Sequence, residues 1–365
     1  MKTTVGYAAK HSISDLRPIA IERRDAGARD VELDILFCGV CHSDIHQVKD
    51  EWKNTVYPCM PGHEIVGRVT QVGSAVTKFK VGDRVGVGCM VDSCHECDAC
   101  RAGLENYCER GFLGTYNGNQ RTPTQENLTY GGYSERMTVR EDFVLRMPTN
   151  LDPAASAPLL CAGVTTYSPL RHWKAGPGTH LGVVGLGGLG QMAVKLARAM
   201  GAAVTVITTS REKRDAALEL GAAEAVLSTD KHQMQGHAAR LDLILSTIPQ
   251  PHDPNPYVKL LKREGVYVVV GCLAPLEAPL DCSKMNIDRK SVGTTLIGGI
   301  AETQEVLDFC GKHDIVSDIE VIPIDKVNEA FAEVDKGHVA FRYVIDMATL
   351  KGKRPDESLA AKVGL

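Results

Sequence analysis

Four cysteines, Cys94, Cys97, Cys100 and Cys108, stand within fifteen residues of one another, and no other feature limits the fold as strongly. Three recur at every third position and the fourth follows eight later. A short loop with that spacing wraps four thiolates tetrahedrally around one Zn2+. Such a knot leaves no coordination position open, so it reads as structural. It also raises the question of whether a second, open metal site lies elsewhere in the chain. Twelve cysteines in all, in a chain whose start (Met1 to Gly6) has no apolar signal core, argue for metal ligation and buried packing over disulfides. Cys38, Cys59, Cys89, Cys272, Cys282 and Cys310 have no partner spacing and read as core or incidental residues.

At 365 residues the chain suggests two domains, on a prior of about 150 residues each. A net charge of -4 with no basic block argues against nucleic acid, and no apolar run is long enough to span a bilayer. A cytoplasmic location is therefore expected.

The early part reads as a compact all-β domain. Val31 to Phe37 alternates apolar and polar residues, and Gly62, Gly67, Gly73, Gly82 and Gly86 punctuate a valine-rich stretch. The segment from Asn117 to Tyr130 reads as a polar surface loop. From about Gly178 the rhythm changes to short apolar strands (180–184, 203–208, 225–227, 241–246, 266–271) alternating with helices (189–200, 211–220). That alternation implies a doubly wound parallel sheet covered on both faces. Helices at 303–310 and 325–335 and strands at 319–322 and 341–345 complete the chain before a charged tail from Lys351.

Within the alternating half, Gly185-Leu186-Gly187-Gly188-Leu189-Gly190 follows a strand and opens a helix. In that context the glycines serve a tight turn, close approach to a pyrophosphate and helix–strand packing. The next strand ends Thr208-Thr209-Ser210-Arg211-Glu212-Lys213-Arg214, with no acidic residue at its tip. Ser210 is placed to cap the helix, and the cations after it oppose the macrodipole. A 2'-phosphate there explains them, which predicts NADP(H); the alternative is a solvated helix start.

Three further segments complete the picture: Gly39-Val40-Cys41-His42-Ser43-Asp44-Ile45-His46, then Pro61-Gly62-His63-Glu64, and Leu160-Cys161-Ala162-Gly163 running on to Pro169. With the knot and the glycine loop, they resemble the zinc-dependent medium-chain alcohol dehydrogenases. The 160–169 segment resembles the cinnamyl-alcohol-dehydrogenase branch, including its microbial NADPH-dependent aldehyde reductases, and the resemblance runs from Val5 to Asp346. It implies a GroES-like all-β catalytic domain over residues 1–160, a Rossmann domain over 161–298, and a return to the catalytic domain over 299–365.

The resemblance also implies roles. Cys41, His63 and Cys161 would ligate a catalytic zinc, with Glu64 a fourth ligand or exchanging neighbour, giving two Zn2+ per chain with the knot. Asp44 would orient His63, and Ser43 and His46 would relay a proton from the reacting oxygen to solvent. Cofactor contacts would fall at Thr165, Thr247, Gly271, Thr295, Leu296 and Ile297, besides the glycine loop. The chain departs from the lignin-forming members at Gly114 and Leu296, where those carry aromatics, so a broader pocket for aromatic and aliphatic aldehydes is expected. Trp52 offers another wall or ordinary packing. The expected activity is hydride transfer between NADP(H) and primary alcohols or aldehydes, mainly aldehyde reduction, in a homodimer. The competing readings are a polyol or secondary-alcohol dehydrogenase of the same superfamily, and a zinc-free reductase or redox-sensing module.

Overall fold

The computed structural model describes residues 2–337, 339 and 341–355, so positions 356–365 of the charged tail lie outside the described residues. The chain divides into two compact units, Met1–Cys161 with Gly298–Leu365, and Ala162–Ile297. Each boundary differs by one residue from the expected one: Cys161 closes the first stretch of the first unit, and Gly298 opens its return.

The first stretch carries β1 (Lys2–Ala8), β2 (Arg17–Arg23), β3 (Asp30–Gly39), β4 (Ile65–Val72), β5 (Arg84–Val87), β6 (Met90–Asp92), β7 (Leu113–Gly114), β8 (Arg136–Arg140) and β9 (Leu145–Arg146). The spine is β3. Its Val31, Leu33, Ile35 and Cys38 are buried and Asp34 is exposed, as alternation requires. Glu32 breaks the pattern: it is buried as well, and Lys2 Nζ meets its carboxylate at 2.7 Å. Register shifts at Glu32/Leu33 and Ile35/Phe37 re-aim the side chains, which no two-residue periodicity reveals. The segment after Gly114 also departs from a surface loop at its start. Asn117 is buried, with its Oδ1 accepting the Val56 N–H at 2.8 Å.

The second unit is a six-stranded parallel sheet built from β10 (His180–Val184), β11 (Ala203–Thr208), β12 (Glu224–Leu227), β13 (Leu241–Ser246), β14 (Leu261–Val269) and β15 (Ser291–Thr294). Its order is β12-β11-β10-β13-β14-β15, so the chain reverses direction across the sheet between β10 and β13. Ligands of open parallel sheets sit at that switch point, beyond the strand carboxyl ends. The strands are apolar on both faces because helices cover both. Against expectation β14 begins five residues early, through the polar Lys262-Arg263-Glu264, because a register shift beside Leu241 lets the ladder continue.

The return begins with the helix Ile300–His313, which starts three residues before the expected Thr303. Glu105 makes the early start possible, its carboxylate accepting the Ile300 N–H at 2.9 Å from a distant part of the sequence. β16 (Ile319–Pro323), the helix Val327–Asp335 and β17 (Arg342–Asp346) follow. They complete a seven-stranded sheet ordered β16-β17-β3-β4-β5-β9, with β8 also on β3. β17 lies antiparallel to the end of β3, pairing Val344 with Gly39 and Ile345 with Cys38. Among the described residues no helix is long and apolar enough to cross a membrane.

Candidate active site

Among the described residues, two clusters of metal-ligating atoms occur in the first unit. Cys94, Cys97, Cys100 and Cys108 bring their Sγ atoms within 4.8 Å of one another, and Cys41, His63, Glu64 and Cys161 do the same with one donor atom each. The knot is held partly by its own backbone. Cys97 N–H donates to Cys94 Sγ at 3.4 Å, and backbone N–H groups of Glu109 and Cys100 pull the Cys97 thiol down to about 6. His95 lies outside the tetrahedron, its Nε2 paired with Asp92 at 2.7 Å.

The second cluster assembles from two strand ends and a 3-10 turn. Cys41 follows β3 and caps the short helix His42–Val48; His63 and Glu64 immediately precede β4; Cys161 follows the 3-10 turn Ala157–Leu160. Gly62 reaches His63 through a left-handed φ of +102°, which a side chain would resist. All four donors are buried. Within the thiol pair, hydrogen bonding from Cys161, helped by the Arg342 guanidinium against the cost of burial, holds Cys41 well below an ordinary thiol. Cys161 is correspondingly pushed up by Cys41 and Cys89. Burial drives the Glu64 carboxyl up to about 7 against the opposing pull of Arg342.

Behind the cluster, the Asp44 carboxylate accepts the His63 Nδ1–H at 3.0 Å, the Gly62 N–H at 3.0 Å and the Cys41 N–H at 2.9 Å. This fixes the imidazole so that Nε2 is the atom offered to a cation. Arg342 Nη2 lies 3.0 Å from Glu64 Oε1, yet both carboxylate oxygens lack a well-aligned hydrogen-bond donor. Two thiols, one oriented imidazole and a buried carboxylate with orphaned oxygens form a donor set that fits Zn2+.

The helix His42–Val48 places Ser43 and His46 three residues apart, hence on one face. His46 Nδ1 meets Glu51 Oε2 at 2.5 Å, and the Trp52 ring packs 5.6 Å from the imidazole. Tyr116, two residues after Gly114, lies with its ring 5.6 Å from that of His63.

In the second unit, the turn after β10 takes Gly185 through a φ of +89°, and a Cβ on Gly190 would collide with the Gly185 carbonyl. Thr247, at the end of β13, donates its hydroxyl to Val184 O at 2.9 Å, and Gly271 packs on the Thr247 backbone. A Cβ on Gly187, the residue that caps the helix Gly188–Ala199, would meet nothing within 4 Å. The approach to that helix N-terminus is thus open, as an incoming phosphate requires. Thr165 adds a buried hydroxyl with no hydrogen-bond partner. Together these residues fit a dinucleotide. Ser210 accepts the Lys213 N–H at 3.3 Å and caps the helix Arg211–Glu219, while Arg214 pairs with Asp215 at 2.8 Å. Burial lowers the Lys213 ammonium. Thr208 Oγ1 accepts the Ser210 N–H at 3.3 Å, which tightens the turn through Thr209. Thr295, Leu296 and Ile297 close this unit just beyond β15, Ile297 with a φ of +42°.

Sequence reasoning missed Arg342, Glu51 and Tyr133, whose hydroxyl also reaches Asp44. Cys89, read as core or incidental, is half-buried with its thiol donating to Leu160 O at 3.9 Å, next to Cys161 in the chain. Only Glu51 left a signal, an acidic residue five positions after His46.

Comparison with known proteins agrees with this arrangement. Residues 27–149 match the alcohol dehydrogenase GroES-like domain and residues 188–312 the zinc-binding dehydrogenase family. The chain is 51% identical over 351 residues to the aldehyde reductase YahK of Escherichia coli K12, covering 96% of this chain and 99% of that protein. The fold superposes on a cinnamyl alcohol dehydrogenase from Sorghum bicolor with a TM-score of 0.91 at 46% identity, covering 98% of this chain and 100% of that one. It superposes on a cinnamyl alcohol dehydrogenase from Helicobacter pylori, complexed with NADP(H), with a TM-score of 0.87 at 41% identity, covering 95% and 98%.

Proposed function

The chain belongs to the zinc-dependent medium-chain alcohol dehydrogenases, in their cinnamyl-alcohol-dehydrogenase-like branch, and from that premise we propose that it interconverts primary alcohols and aldehydes with NADP(H), mainly as an aldehyde reductase. The observation that carries this reading is the buried quartet Cys41, His63, Glu64 and Cys161 with Asp44 behind it. Cys41, His63 and Cys161 would hold the catalytic zinc with Glu64 as an exchanging neighbour, and the knot would hold a second ion. When bound, zinc polarises a carbonyl or acidifies an alcohol, and the nicotinamide supplies the redox equivalent.

The protein's own residues handle the proton and the cofactor. Ser43 and His46 share a helix face, so a proton given up at Ser43 Oγ can be taken by His46. Glu51, half exposed, accepts at His46 Nδ1 and opens the route to water. Arg342 sets a positive charge 3.0 Å from Glu64 Oε1, which competes with a cation for that carboxylate. Arg211 and Lys213 would receive a 2'-phosphate, and Thr165, Thr247, Gly271 and the 295–297 segment would contact the rest of the cofactor.

A substrate range of small aromatic and aliphatic aldehydes and alcohols belongs to this reading, because Gly114 and Leu296 stand where the lignin-forming members carry aromatics. A homodimer in the cytoplasm completes the reading. Its support is β15, an edge strand of the parallel sheet, with the exposed Leu273 and Ile287 on the segment leading to it. Metal analysis tests the reading together with a Cys41→Ser variant: about two zinc per chain in the parent, about one in the variant, with the fold kept and turnover lost. Unimpaired turnover in that variant would place the chemistry elsewhere.

A further inference from the structure

Asp44 is fully buried and accepts four donors, two on each oxygen. Oδ1 takes Gly62 N–H and His63 Nδ1–H, and Oδ2 takes Cys41 N–H. Those three come from ligands or from the residue beside one. The fourth is the hydroxyl of Tyr133, 89 residues away, donating to Oδ2 at 3.2 Å.

Tyr133 is itself fully buried and held from several sides. Its N–H donates to Pro61 O at 3.1 Å, and its carbonyl accepts the Tyr7 N–H at 2.8 Å. The ring packs 6.3 Å from that of Phe331 and lies against Gly62, where a Cβ would come 2.6 Å from Tyr133 Cδ1. The hydroxyl thus has no freedom to seek another acceptor. A buried carboxylate that loses a donor keeps its desolvation cost and gains freedom to rotate. Here rotation about the Asp44 carboxylate would break its alignment with His63 Nδ1.

We propose that Tyr133 is a positioning residue for the catalytic metal, locking the Asp44 carboxylate so that His63 presents Nε2 in one orientation. The inference rests on the reading of Cys41, His63 and Cys161 as zinc ligands. It extends that reading to a side chain that touches neither metal, substrate nor cofactor.

The test uses the zinc-loaded protein and a chromogenic chelator, following release of each ion with time, with Cys41→Ser identifying which phase belongs to the knot. Tyr133→Phe keeps the ring and removes only the donor. Release of the catalytic ion should quicken about tenfold, in line with the loss of other groups that orient a ligating histidine, while the knot's phase stays put. The cobalt-substituted protein should show a shifted d–d spectrum in Tyr133→Phe. Phe331→Leu, which loosens the ring's packing but keeps the hydroxyl, should leave both release and spectrum unchanged. Parental release rates with an unaltered cobalt spectrum in Tyr133→Phe overturn the proposal. So does an equal acceleration in Phe331→Leu, which would assign the effect to packing. A parent protein holding one zinc alone overturns the ligand reading itself, and the role of Tyr133 with it.

Discussion

Replacing Arg342 with methionine should damage the protein far more than replacing both Arg342 and Glu64. The Glu64 side chain is fully buried, that of Arg342 is 7% exposed, and their charged atoms stand 3.0 Å apart. A buried ion pair is weakly stabilising against an apolar pair of similar volume, because desolvation of both charges offsets their attraction. Breaking it from one side is different, since it strands a charge and costs about 3–5 kcal/mol. At a pH above the Glu64 carboxyl's own value of about 7, where it is charged in the parent, Arg342→Met strands that carboxylate beside the Cys41 thiol and also removes the Arg342 Nη1–H bond to Val40 O at 3.3 Å. Arg342→Met with Glu64→Gln leaves no net charge, so most of the penalty should return. For a unit of this size about 1 kcal/mol moves the midpoint by roughly 2–4 °C. The single variant should then unfold roughly 6–20 °C below the parent, with the double variant recovering at least half of that. Thermal melts of all four members of the cycle, at one fixed free zinc concentration so that linkage is common to them, give the coupling directly. A single variant within 2 °C of the parent on that roughly calibrated scale, or a double variant no better than the single, would refute the buried-pair argument.

Two further perturbations probe other parts of the molecule. Replacing Arg211 with serine should raise the KM for NADPH roughly 10–150-fold, the loss of one charge-assisted contact of about 1.5–3 kcal/mol, and leave that for NADH little changed; equal effects on both cofactors would remove the 2'-phosphate from the account. The Asp30 carboxyl is held below its ordinary value chiefly by hydrogen bonding to Arg24, with Gly27 N–H also donating at 2.7 Å. A depressed folded-state value contributes stability that is complete above the unfolded carboxyl's range and is lost as pH falls through the folded one. Denaturation of the parent between pH about 5 and 2 should therefore be steeper than that of Asp30→Asn, and parallel curves would contradict the assignment.

The fold was largely legible where one signal governed it. Short apolar strands separated by amphipathic helices leave little choice but a covered parallel sheet, and β10, β11 and β13 follow the sequence pattern closely. The pattern failed where tertiary partners overrode it. Glu32 is polar but buried because Lys2 reaches it from β1, and the helix at Ile300 starts early because Glu105, from within the knot segment, accepts its N–H. Neither partner is near in sequence, so no local window contains the cause.

The candidate site divides along the same line. The knot's donors were legible because Cys94 to Cys108 are written in short spacings, whereas Cys41, His63, Glu64 and Cys161, spread over 121 residues, were legible only through the family resemblance. Asp44 was named through the same resemblance, and in the structure it lies three residues from Cys41 and accepts that residue's N–H. The groups that make those donors behave as they do come from elsewhere. Arg342 arrives on β17 only because the chain returns to pair with the end of β3, and Tyr133 arrives just ahead of β8. A spacing motif specifies which atoms face a cation; it cannot specify how firmly they are held. That firmness depends on β8 and β17 laid against β3, so substitutions at Arg342 or Tyr133 should alter the metal site while every ligand remains in place.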